Sequence, residues 1–173
     1  MKPITILMIF IGCLAGSGCA STGSPSPTPQ AKTANSSASL FQSAASAFER
    51  KNYPVALKIF TELAEQGDAD AQFVLGLMYA NGEGVPKDAS QAVTWYRKAA
   101  EQGVAKAQVN LGLMYANGEG VPKDYVQAAK WFYLGKANGV EADKAIRQIE
   151  SRMSHQQIEQ AQALATQWWQ NHH

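Results

Sequence analysis

Cysteine is almost absent from this chain: of 173 residues, only Cys13 and Cys19 are Cys, both near the N-terminus. The rest of the chain therefore has no disulfide to constrain it, no thiol nucleophile and no thiolate metal ligand. Charge of one sign is equally scarce. Fifteen Lys and Arg stand against 14 Asp and Glu with no long run of either, so the electrostatic footprint of a nucleic-acid binder is missing. Histidine is limited to His155, His172 and His173. With no nucleophile beside a base, no carboxylate pair in an evident cleft and no metal-spaced cluster, the sequence offers no catalytic residue, no metal site and no need for a cofactor. The apolar run from Ile4 to Ile11 is too short to span a bilayer as a permanent helix. After a leader and a linker are subtracted, room remains for one domain of roughly 130 residues.

What the chain has is repetition. The segment LGLMYANGEGVPKD occurs at Leu75 to Asp88 and again, unchanged, at Leu111 to Asp124, a period of 36 residues. Self-similarity at this period is the mark of a helical solenoid, because one unit cannot bury its apolar face alone and must stack on a copy of itself. Ala69 to Ala80 carries Ala71, Leu75, Met78 and Tyr79 at helical spacing and reads as a first helix, A. Gly82 suits the left-handed position that ends a helix, Gly84 permits a second unusual dihedral, and Pro86 cannot continue helix A. Asp88 is placed to cap a second helix, B, whose apolar face is Ala92, Trp95, Tyr96 and Ala99 and which ends at Gly103. Adding 36 reproduces the unit, with Leu111, Gly112, Gly118, Gly120, Asp124, Ala128, Trp131 and a stop at Gly139.

Subtracting 36 from helix B finds Ala56, Ile59, Phe60 and Gly67, so a degenerate hairpin precedes the two good copies. Its first helix is expected over about Leu40 to Lys51, with Asn52-Tyr53-Pro54 as a short turn. Beyond Gly139, Ala142, Ala145, Ile146 and Ile149 share one helical face. Ser154 and Gln157 form a capping box opening a last helix that aligns Ile158, Ala161, Ala165 and Trp168. Trp168 and Trp169 are adjacent, so only one can point fully inward; the other covers the edge of the cap or meets a partner.

The pattern A-x-Q-x-x-L-G-x-M-Y-x-x-G-x-G-V-x-x-D, followed by A-x-x-W-[YF] and a closing Gly, resembles the Sel-one-like repeat, a relative of the tetratricopeptide repeat with a longer helix-to-helix loop. The resemblance implies an all-α fold: a right-handed α-solenoid of antiparallel helix hairpins, here with a C-terminal capping helix pair. Its expected divisions are a degenerate hairpin at 39–67, repeats at 68–103 and 104–139, and capping helices at 140–173. The second copy departs from the pattern where Leu134-Gly135-Lys136 replaces Lys-Ala-Ala. The resemblance also implies a scaffold for protein partners, with helices A lining a concave surface.

If Leu75, Gly76 and Tyr79 face the partner helix, the opposite side of helix A displays Asp70, Phe73, Leu77 and Asn81, and in the next copy Lys106, Val109, Leu113 and Asn117. Apolar and polar residues along one inner face suit an extended segment or helix of another protein. The competing expectation is that Phe73 and Leu77 pack against the neighbouring unit. Gly76 and Gly112 are expected to permit close helix approach, and Trp95 and Trp131 to fill the space between units. Glu83 and Glu119 recur beside Asp88 and Asp124 but lack the alternate-position carboxylates of a calcium loop, so the Asp reads as a cap and the Glu as solvated.

The N-terminus has a basic start at Lys2, the apolar run, and small residues up to Cys19, as a secretory signal does. Small uncharged residues before Cys19 resemble a bacterial lipoprotein processing site. That resemblance implies a signal peptide at 1–18, acylation of Cys19, and a disordered Ser- and Pro-rich tether at 19–38. Ala20 after the Cys suggests the outer membrane, facing the periplasm. Cys13 is a competing site, and cleavage after Ala20 would instead give a soluble periplasmic or secreted protein. The function so implied is a non-enzymatic, lipid-anchored interaction scaffold of the cell envelope, without nucleic acid or small-molecule substrate. The alternative is a β-lactam-binding or hydrolysing enzyme of the cysteine-rich repeat type, which relies on paired Cys within each repeat.

Overall fold

In the computed structural model, which describes residues 29–172 with side chains from Ser36 onward, the 36-residue period is a helical hairpin. The helices are α1 (Pro29–Glu49), α2 (Tyr53–Glu65), α3 (Ala69–Asn81), α4 (Ala89–Glu101), α5 (Ala105–Asn117), α6 (Tyr125–Ala137), α7 (Asp143–Glu150) and α8 (His155–His172), with no strand among the described residues. Successive pairs α1–α2, α3–α4 and α5–α6 form hairpins. They stack through α2 on α3 and α4 on α5, and α6 then carries both α7 and α8. The chain is thus an all-helical solenoid.

Each hairpin is set locally as its sequence dictates. The Asp88 carboxylate accepts hydrogen bonds from the amides of Ser90 and Gln91 at 2.9 and 3.0 Å, and Asp124 accepts from Val126 and Gln127 at the same distances. These caps satisfy amides that the first turn of a helix leaves open. Gly82 ends α3 at φ 78° with its N–H on the Met78 carbonyl, and Gly118 repeats this at φ 77°. Where the chain crosses between helices A and B there is room for no side chain. A Cβ on Gly76 would lie 2.4 Å from the Tyr96 ring, and one on Gly112 would lie 2.7 Å from Phe132. The aromatic ring of helix B fills the place of the missing side chain.

Stacking buries the remaining apolar faces. Phe60, Leu63, Leu75 and Met78 close the first junction, while Tyr96, Leu111, Met114 and Trp131 close the second, with Trp168 of α8 added to it. Phe132, Ile146, Ile149 and Ala161 join α6 to α7 and α8. A polar thread runs through the same seams. Gln72 Nε2 donates to the Ala64 carbonyl at 3.0 Å and Gln102 Nε2 donates to Gln72 Oε1 at 2.8 Å. One period on, Gln108 donates to Ala100 at 3.1 Å and Asn138 donates to Gln108 at 2.9 Å. Gln72 and Gln108 are 5% and 0% exposed, so each is a buried amide engaged both as donor and as acceptor, tying one hairpin to the end of the preceding one.

One expectation is corrected. Helix α1 begins at Pro29 rather than near Leu40, so the part of the 19–38 tether from Pro29 onward is helix. Proline suits a first helical turn, where no amide donor is needed, and Gln30, Ala31 and Lys32 are good helix formers. Helix α6 keeps the same 13 residues as α4 despite Leu134-Gly135-Lys136. Leu134 is buried under α8, and a Cβ on Gly135 would meet Val109 at 2.6 Å, so the departure from Lys-Ala-Ala fits α6 to its neighbours. The short turn after α1 forms with Lys51 at φ 59° and Pro54 in the first turn of α2. The signal at 1–18, Cys13, Cys19, the tether up to residue 28 and His173 lie outside the described residues.

The loop glycines separate two costs. At Gly120, φ is +69° and a Cβ would lie 2.4 Å from the Ala89 backbone, whereas Gly103 has φ +85° and open space around it. Gly103→Ala is expected to cost about 1–2 kcal/mol in urea unfolding, the left-handed strain alone. Gly120→Ala adds a backbone clash and should cost roughly 1–3 kcal/mol more; equal losses at the two positions would show that the loop does not press on the preceding hairpin.

Candidate functional surface

The inner face of helices A is where the sequence nominates eight contact residues, and the fold treats its polar and apolar members differently. Asp70, Asn81, Lys106 and Asn117 are exposed. Asn81 Nδ2 donates to Glu83 at 3.4 Å and Asn117 Nδ2 donates to Glu119 at 3.0 Å, so each loop glutamate also accepts a solvent-exposed hydrogen bond from the helix end. Phe73 is half-buried with its ring 6.0 Å from that of Tyr96, and Leu77 packs on the same cluster. Val109 packs against the α6–α7 cluster. Phe73, Leu77 and Val109 are thus partly covered by the clusters beneath them. Leu113 differs: it is 44% exposed.

Tyr96 is buried and Trp131 is buried between Leu134 and α8, with the Trp168 ring 6.3 Å away. Trp95 is half-buried, with the Lys98 ammonium 4.2 Å from its ring centre; Lys130 sits in the same way over Trp131 at 4.3 Å. Of the two adjacent tryptophans, Trp168 points inward and Trp169 is half-buried at the edge of α8, beside Tyr133 and Leu134. The capping box is made in both directions, Ser154 N–H to Gln157 Oε1 at 2.9 Å and Gln157 N–H to Ser154 Oγ at 3.3 Å.

Sequence reasoning missed two features. The glutamine thread was legible as a polar residue recurring inside an apolar stripe, since Gln72 stands three and four residues before Leu75 and Gly76. The second is a cationic pair at the far end of the inner face, where Arg152 reaches the Tyr125 hydroxyl at 3.5 Å and the Lys123 ammonium lies 5.0 Å from the same ring. Nothing in the repeat pattern marks it, because Arg152 lies beyond the repeats.

Among the described residues no group of three or more His, Cys, Asp or Glu is placed to hold a metal ion, and no helix is long and apolar enough to cross a membrane. The strongest electrostatic perturbations lie in seams. Burial pushes the Tyr96 phenol from 10.0 up to about 12, partly offset by a hydrogen bond with Asn110. Burial, then a hydrogen bond to Glu150, raises Tyr133 as well.

Comparison with known proteins places this architecture. The family described as Sel1 repeat matches residues 46–68, 69–104 and 105–140. A crystal structure of a protective antigen of uropathogenic Escherichia coli strains, displaying an SLR fold, is 34% identical with a TM-score of 0.73 over 80% of this chain and 31% of its own. A Sel1 repeat protein from Oxalobacter formigenes is 31% identical with a TM-score of 0.60 over 74% of this chain and 55% of its own. This chain thus spans less than two thirds of either. Helicobacter pylori cysteine rich protein B, at 22% identity and a TM-score of 0.51, shares the fold. No curated protein matches the chain.

The raised tyrosines set a pH dependence. A phenol whose pKa is higher folded than unfolded lends stability that is complete below the unfolded value and lost as pH rises toward the folded one. The urea midpoint is therefore expected to fall between pH 10.0 and about 12 as the Tyr96 phenol ionises only in the unfolded chain. Tyr96→Phe should make that fall shallower, with Tyr133 supplying the remainder; an unchanged slope would place the loss elsewhere.

Proposed function

The chain belongs to the Sel1 repeat family, and from that premise we propose that it is a non-enzymatic interaction scaffold of the bacterial cell envelope, binding a segment of another protein along the inner face of its helices A. The observation that carries the reading is Leu113. A large apolar side chain left 44% exposed, on a face whose other apolar members are half-buried in seams, is available to a partner. Exposed Asp70, Asn81, Lys106 and Asn117 add polar contacts along the same face. Shape and side-chain complementarity supply the activity, and the described residues add no reactive chemistry.

The proposal includes anchoring. Cys19 follows an apolar segment and small residues and is taken as the acylated first residue of the mature protein, held at the outer membrane and facing the periplasm. A partner would be another envelope protein reached from that anchor. Acyl anchoring is a matter of chemistry at one residue, so it is decided by mass. The mature protein is expected to begin at an acylated Cys19; an unmodified start at Ser21 would remove the anchor and leave the scaffold.

The binding face has its own test. A photo-crosslinking amino acid at position 113 in intact cells is expected to yield a discrete partner adduct, and Leu113→Glu should abolish partner capture while far-UV circular dichroism stays helical. Because Leu113 is exposed, the variant is expected to fold as the parent does. Undiminished capture by a folded Leu113→Glu protein would move the binding surface away from helices A.

A further inference from the structure

Leu77 and Leu113 occupy the same place in successive repeats, yet only Leu113 is open, and it lies beside α7. Ala145 and Ile149 stand 36 residues after Val109 and Leu113, so α7 lies in the register of a helix A. It ends at Glu150 after 8 residues, where α3 and α5 have 13. A socket of about 70 Å³ lies among α5, α6 and α7, with Leu113, Phe132 and Ile149 as its apolar wall and Asn117, Gln148 and Arg152 as its polar one.

One end of the socket is positive, since Arg152 lines it and Lys123 reaches the same tyrosine as Arg152. Arg152 and Lys123 are both exposed and converge on the Tyr125 ring. Ion pairs among the described residues are Lys136 with Asp143 and His155 with Glu159, so neither cation has a carboxylate within ion-pair reach. Neighbouring acids point elsewhere: Asp124 accepts from the first amides of α6 and Glu119 accepts from Asn117. The Tyr125 phenol registers the field, held below its ordinary pKa first by its hydrogen bond with Lys123 and then by Arg152.

We propose that this socket docks an acidic segment of a partner protein, with one branched aliphatic side chain entering between Leu113 and Ile149 and a flanking aspartate or glutamate meeting Arg152 and Lys123. An arginine and a lysine converging without an acid of their own are complementary to a carboxylate, which Arg can grip through charge-assisted hydrogen bonds. A basic segment would meet the same two cations as a repulsion. The inference rests on the reading of the inner face as the partner surface and adds the chemistry of the partner.

The test is fluorescence anisotropy with the full chain in non-ionic detergent and a labelled, C-terminally amidated dodecapeptide carrying one leucine between aspartates on a Gly-Ser background. Binding is expected, weakening about tenfold when the aspartates become asparagine, and by a similar factor in Arg152→Ala or Lys123→Ala, as for loss of one charge-assisted contact. Leucine to serine in the peptide should weaken it too, and Arg152→Lys should retain part of the affinity. No binding up to about 1 mM, equal binding of the asparagine or a lysine version, or unchanged binding by folded Arg152→Ala would each overturn the proposal. So would tighter binding of a peptide whose sole acid is its C-terminal carboxylate. In cells, a Lys123→Glu, Arg152→Glu protein that still crosslinks its partner through position 113 would refute the acidic segment while leaving the inner-face scaffold standing; loss of capture agrees with both.

Discussion

Everything in this molecule depends on helices A and B approaching so closely that no side chain fits between them at Gly76 and Gly112, where rings from Tyr96 and Phe132 occupy the gap. Close approach makes each hairpin thin and rigid, but two 13-residue helices so joined still have apolar faces on their outer sides. Those faces are buried only by the neighbouring hairpin, and the burial of Leu75 with Phe60, or of Leu111 with Tyr96, is the stabilising term that sets the stack. The glutamine thread adds direction to this non-directional attraction. A buried amide whose donor and acceptor are both engaged fixes how far one hairpin can slide or rotate on the next, since a shift would leave Gln72 or Gln108 unsatisfied in a dry seam.

The same logic accounts for the place where the repeat breaks its own pattern. On α4 the outward stripe is Thr94, Arg97, Lys98 and Glu101; on α6 the equivalent positions hold Lys130, Tyr133, Leu134 and Ala137. Arg97, Lys98 and Glu101 give way to Tyr133, Leu134 and Ala137 where α8 lies over α6, burying Leu134 and bringing Trp168 onto Trp131. With α8 supplying most of the cover, α7 can be short. Leu113 stays open beside this short helix, and the two line one socket on the side of the stack away from α8's cover.

Much of this was legible in the chain. The identical segments at Leu75 and Leu111 fixed the period, Asp88 and Asp124 announced the caps, Gly82 and Gly118 the helix ends, and Ser154 with Gln157 the start of α8. All of these are local rules acting on neighbouring residues. The start of α1 was misjudged because the Ser- and Pro-rich composition outweighed Pro29 as a helix opener. The fate of the inner-face residues was harder to read, since Phe73, Leu77 and Leu113 have the same helical phase and similar hydrophobicity. What distinguishes them is what the following unit packs on them, a property of residues far along the chain. The Arg152, Lys123 and Tyr125 grouping was invisible for the same reason, being assembled from a loop, a helix start and the residues after α7.

The inner face therefore has a polarity that exact repetition would not give it. Asp70 and Lys106 stand at equivalent places with opposite charge, so no uniform field runs along the stack. At the first inner junction the apolar residues are engaged in the seam and only Asp70 and Asn81 stand exposed; at the second, an open leucine, a socket and two cations coincide. A residue committed to a seam cannot also give its surface to a partner without costing the fold, whereas Leu113, Lys123 and Arg152 have solvent-facing surface to give. Under the proposed reading, recognition is concentrated near α5 and α7, and the earlier hairpins act chiefly by holding that end rigid and at a distance from the N-terminus.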